Sequence, residues 1–197
     1  MDTKKLALTI VFAALTVALN PAFTNIALYA PFAYGLIYQI WEIPIVIAFL
    51  IISPVAGVAI SLLNTSVLLA IFPGVLPTGP FYNLAATLSM QAGIYAAYVL
   101  ARRFNRRKTE NPVSQFEPKW VALYTAMGIL SRVAFMSVVL YFALPQQPPV
   151  GFTFSVAATV AYLPFAALFN GTLALYTIPI GYFIAETVRR NLRLNLS

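Results

Sequence analysis

Long uncharged apolar runs, broken by short joints bearing Pro and Gly, set the pattern of this chain. Residues 43–101 form 59 consecutive positions without Asp, Glu, Lys or Arg, and residues 133–185 form another 53. A helical span takes roughly 20 apolar residues, so the first block predicts about two or three spans and the second about two. The runs are continuous rather than alternating, which argues against a transmembrane β-barrel. The joints divide the chain into six spans, at about 6–20, 36–52, 55–72, 81–101, 119–143 and 158–185, within one membrane domain over 1–197. Pro21 closes the first span, and Ser53-Pro54 makes a tight turn between the second and third. The stretch 6–19 runs on into a multispanning chain, so it reads as a first span rather than a cleaved signal peptide.

Charge placement orients the scheme. Only 9% of the 197 residues are charged, against about 25% in soluble domains. Eleven of the twelve Lys and Arg fall at the N-terminus, between spans 4 and 5, or at the C-terminus, and the twelfth, Arg132, lies within a span. The three loops on the other side (21–35, 73–80 and 143–154) carry none. The positive-inside rule then predicts an all-α polytopic membrane protein with six transmembrane helices and both termini cytoplasmic. The net charge of +7 therefore reflects topology, and no nucleic-acid partner is expected. With no Cys and no His, disulfides, thiol nucleophiles and His-based zinc sites are excluded, and neither cofactor nor metal is expected.

Glu42 and Arg132 are the charges inside the apolar blocks. Lipid exposure would cost a few kcal/mol or more. They can pair with each other, or one or both can face a cavity and contact a polar ligand; Glu42 can also sit solvated at the outer interface. Pro44, if its segment is helical, frees the carbonyl of Ile40. Span 4 carries Asn83, Thr87, Gln91, Tyr95 and Tyr98 on one helical face. Its outer part, Tyr82, Asn83 and Gln91, either lines a pocket or bonds to neighbouring helices. Span 6 has Tyr162, Phe165, Phe169, Thr172 and Tyr176 on one face, with Asn170 nearby. Tyr38 and Trp41 suit either the membrane interface or stacking on a planar ligand. In span 1, Ala14 and Ala18 lie four apart, a spacing that lets another helix approach closely, within this chain or from a partner.

These residues resemble the S components of energy-coupling-factor (ECF) vitamin transporters. KKLALTIVFAALTVAL looks like the family's first helix, and WEIPIVIAFLIISPVAGVAIS is similar to its acidic, Ile-Pro, Gly-Pro-x-x-Gly pattern, with Ser53 in place of the first Gly. TGPFYNLAA resembles the entry to helix 4, and YLPFAALFNG the entry to helix 6. The riboflavin-specific members fit best, with Glu42 before Ile-Pro and Arg132-x-x-x-Met136 in helix 5. Two positions depart from that subgroup: Leu140-Tyr141 stands where an Asn-Tyr pair is common, and Asn170-Gly171 stands near the place of a Lys.

The resemblance implies a multi-pass protein of the prokaryotic plasma membrane with a vitamin pocket near the outer face. The three uncharged loops would close it. It also implies a partner transmembrane coupling subunit, docked at Ala14 and Ala18, and two ATPases, since no Walker A motif occurs here. The expectation is a non-enzymatic substrate-capture subunit using Tyr38, Trp41, Glu42, Tyr82, Asn83, Gln91, Arg132, Tyr162, Phe165 and Asn170. Riboflavin is the leading ligand, and thiamine, biotin and pantothenate are alternatives. A stand-alone ion-coupled carrier with Glu42 as its ion site is a second reading. An intramembrane enzyme is a third, with a thin catalytic inventory.

Overall fold

The computed structural model describes residues 3–24, 28–32, 36–71, 77–104 and 120–192. Arg106, Arg107, Lys108, Lys119 and Arg193, and residues 72–76 of the second uncharged loop, lie outside the described residues. The chain is all-helical, with α1 (Thr3–Ala18), α2 (Pro21–Thr24), α3 (Glu42–Ile51), α4 (Pro54–Ile71), α5 (Gly79–Phe104), α6 (Val121–Ala143) and α7 (Val156–Leu192). Four helices, α4 to α7, are long and apolar enough to cross a membrane. α1 has 16 residues and α3 only 10.

The predicted second span begins six residues too early. Residues 36–41 are not helical, because their backbone pairs with the preceding loop: Ala30 N–H donates to Leu36 O at 2.8 Å, and Tyr38 N–H to Leu28 O at 2.7 Å. The helix therefore starts at Glu42, and Pro44 falls in its first turn, where a missing N–H is harmless. The Ile40 carbonyl is not freed, since Ile43 N–H bonds to it at 3.1 Å. At 1.5 Å per residue, α3 rises about 15 Å, half the hydrocarbon thickness of a bilayer. Glu42 and all of Pro44–Ile51 are buried, the mark of a helix with apolar residues all round and protein on every side.

α4, α5, α6, α7 and α3 pack in that order into a closed ring, and α1 lies against α3 and α4. Ser53 caps α4, accepting the Ala56 N–H at 3.1 Å, with Pro54 in the first helical position. α5 and α6 approach closely at Gly93, where a Cβ would lie 2.3 Å from Met127 O and 2.7 Å from Ser131 Cβ. Ser131 Oγ also donates to Ser89 O at 2.7 Å. In α7, Pro164 and Pro179 each remove one backbone bond without ending the helix.

The bundle has two unlike ends. Asn20, Trp41, Leu68, Gly79, Leu140 and Tyr162, from the six helical segments or the turns beside them, surround one end. The start of α1 and the ends of α5 and α7 form the other, with Lys4, Lys5, Arg102, Arg103, Arg189 and Arg190.

Any side chain at Gly93 must push α6 away from α5. Gly93→Leu is expected to destabilise the bundle by about 1–3 kcal/mol or more. A melting temperature in detergent well below that of the unaltered chain checks this.

Candidate functional site

Glu42 stands at the first position of α3, and Arg132 near the middle of α6. Both are fully buried and form a bidentate pair: Arg132 Nη1 to Glu42 Oε2 at 2.5 Å, and Nη2 to Oε1 at 3.0 Å. Neither ion is left with unmet valence. Arg132 Nε donates to Asn170 Oδ1 at 3.0 Å, Nη1 also reaches Met90 Sδ at 3.7 Å, and Nη2 also reaches Gln39 Oε1 at 3.4 Å. The five guanidinium N–H groups thus have five acceptors. Glu42 Oε1 further accepts from Asn83 Nδ2 at 3.3 Å and Thr87 Oγ1 at 3.2 Å. One network therefore joins α3, α5, α6 and α7. Complete hydrogen bonding of this kind is what makes a buried pair tolerable.

Above the pair lies a cavity of about 1050 Å³. Ligand sites generally run about 300–1,000 Å³, mostly apolar with a few placed polar groups. Its apolar wall includes Leu36, Leu68, Met136, Leu140 and Phe169. Asn20, Gln39, Trp41, Tyr82, Asn83 and Arg132 supply polar or amphipathic surface.

The structure sorts the predicted residues. Trp41, Tyr82, Asn83, Arg132, Tyr162 and Asn170 line the cavity. Glu42 does not: it sits fully buried, paired with Arg132, in the same hydrogen-bonded network as Gln39 and Asn83. Tyr38 lies outside the wall, its hydroxyl 3.2 Å from Thr172 Oγ1 and its ring 5.5 Å from that of Phe169. Gln91 is deeper, between α4 and α5, donating to Ser61 Oγ at 2.8 Å. Phe165 is half-exposed and faces away; one turn on, Phe169 is buried and forms the wall instead. Ala14 and Ala18 are exposed on α1, beside Ile10 and Leu15.

No protein-family model, curated protein or solved structure matches this chain. The site must therefore be read from its own chemistry.

Among the lining residues that the sequence did not single out are two amides, Gln39 and Asn20. Gln39 precedes Glu42 by three positions, and a lone amide beside a buried charge was the available signal. Loops also join over the cavity. Thr78 Oγ1 donates to Pro149 O at 2.5 Å, and the Tyr82 hydroxyl donates to Val150 O. Among the described residues no group of His, Cys, Asp and Glu could hold a metal ion.

Removing one ion strands the other in a dry interior. Arg132→Met is expected to cost about 3–5 kcal/mol, whereas Glu42→Leu combined with Arg132→Met should recover most of that loss. Thermal unfolding of the three variants in detergent measures the difference.

Proposed function

We propose that this protein is the substrate-capture subunit of an ECF-type vitamin transporter, taking up riboflavin or a closely similar ring system. One observation carries the reading: a large cavity, walled by aromatic and aliphatic side chains, lies over a neutralised ion pair fringed with amides. Such a wall suits a flat, uncharged ring with a few hydrogen-bonding edges. Thiamine would want an accessible carboxylate, and Glu42 has no exposed side-chain surface. The same burial weighs against Glu42 as the ion site of a stand-alone carrier.

Orientation follows from charge. Six described basic side chains gather at the end away from the cavity, which supports a six-helix arrangement with cytoplasmic termini and an outward-opening site. In this reading α1 and α3 complete the membrane domain as short fifth and sixth members, α3 shielded from lipid by its neighbours. The exposed Ala14 and Ala18 leave α1 open to a coupling subunit, which would bring the ATPases the chain itself lacks.

Two measurements test this. Mass spectrometry of small molecules co-purified from cells should find a flavin, and titration of the emptied protein should give a riboflavin Kd near 1 nM, about −12 kcal/mol. Failure of every vitamin in a panel to bind would defeat the capture reading. The absence of Cys makes topology equally direct to check. In intact cells, an impermeant maleimide should label Gln147→Cys but label Arg103→Cys only after permeabilisation.

A further inference from the structure

The ion pair does more than hold helices together: it sets which way two neighbouring amides point. A carboxylate only accepts hydrogen bonds and a guanidinium only donates them. Glu42 Oε1 must therefore meet the Asn83 Nδ2 end, and it does so at 3.3 Å. Arg132 Nη2 must meet the Gln39 Oε1 end, and it does so at 3.4 Å. The two amides also bond to each other through those same inward ends, Asn83 Nδ2 to Gln39 Oε1 at 2.5 Å. Flipping either amide would set donor against donor or acceptor against acceptor.

The outward ends are consequently fixed as well. They are Gln39 Nε2, a donor, and Asn83 Oδ1, an acceptor. Among the described residues neither atom has a hydrogen-bond partner, and neither is a buried orphan. Both residues line the cavity. A donor and an acceptor, on two amides bonded to each other, thus belong to the lining of one cavity above a neutralised ion pair.

We propose that Gln39 Nε2 and Asn83 Oδ1 together read the edge of a neutral planar ring that carries an N–H next to a C=O, as in a lactam or cyclic imide. The ring N–H donates to Asn83 Oδ1, and the ring carbonyl accepts from Gln39 Nε2. This rests on the capture reading and specifies its ligand: flavins, pterins and oxopyrimidines carry such an edge, whereas aliphatic acids and thiazolium cations do not. Arg132 supports the pair without donating to the ring, since its five N–H groups are already engaged.

The test is a binding panel on the full chain in detergent, read by isothermal titration. Riboflavin, lumichrome and a pterin are compared with their counterparts methylated at the ring nitrogen of that edge. Methylation is expected to weaken binding about ten- to a hundred-fold, because a buried acceptor loses its donor. Gln39→Met should weaken the parent compounds about ten-fold and keep the methyl discrimination. Asn83→Leu should bind parent and methylated compounds alike. If Asn83→Leu does not fold, the unaltered chain and Gln39→Met still decide the matter. Equal binding of parent and methylated rings by the unaltered chain would overturn the edge-reading pair and leave the capture reading standing. Tight binding of a co-purified solute without such an edge would do the same. A chain that binds no small solute at all would overturn both.

Discussion

The contact on which this structure depends is the bidentate pair between Glu42 and Arg132. Separating two fully buried charges from each other costs far more than most single contacts in a bundle contribute. The pair therefore fixes α3 against α6 across the ring, although the two helices are far apart in sequence. Its remaining hydrogen bonds reach α5 through Asn83 and Thr87, and α7 through Asn170. An apolar pair of similar volume could have filled the space with no loss of stability. It would not have fixed the amides around it.

The shortness of α3 explains the cavity. A full-length span from residue 36 would have carried the α3 wall of the ring to its rim. Instead Leu28 and Ala30 pair with Tyr38 and Leu36, and helix begins only at Glu42. Ten residues reach about half-way through a hydrocarbon layer, so the upper half of the ring lacks the wall that a longer α3 would supply. The loop covers that room without occupying it. The ion pair lies at the top of the short helix, which is why Arg132, its cavity-lining member, comes to lie beneath that room.

Much of this was legible in the sequence, and the failures share a cause. Spans 3 to 6 announced themselves because each uncharged run ends at Pro, Gly or a basic cluster, signals read within a few residues except at the end of α7, which runs past 185 to Leu192. The start of span 2 did not, since Leu36–Trp41 is as apolar as any helix and its conformation is decided by Leu28 and Ala30. Pairing of Glu42 with Arg132 was one of three arrangements the residues allowed, and choosing among them required knowing which helices adjoin. Phe165 and Phe169 have the same composition and nearly the same face. The packing of α7 leaves Phe165 half-exposed and buries Phe169 as part of the cavity wall. Gln39 carries only a faint signature, its place three residues before Glu42, because a single amide in an apolar loop gains its meaning from the ions beside it.

On the proposed capture reading, a site of this design selects by shape and hydrogen-bond order rather than by charge. Charged ligands are drawn strongly to an exposed ion, but salt and competing ions screen that attraction. Here both charges are spent on each other beneath the surface. Their directional preferences are nevertheless passed outward through Gln39 and Asn83 as a fixed order of donor and acceptor. On that reading an uncharged ring arriving from water would meet groups already oriented to receive it, so little conformational freedom would be lost on binding. Discrimination then comes from the wrong ring, which must leave a donor or an acceptor unmatched in a mostly apolar cavity. That is a physical reason for a membrane protein to keep two ions in its interior where hydrocarbon side chains would have packed as well.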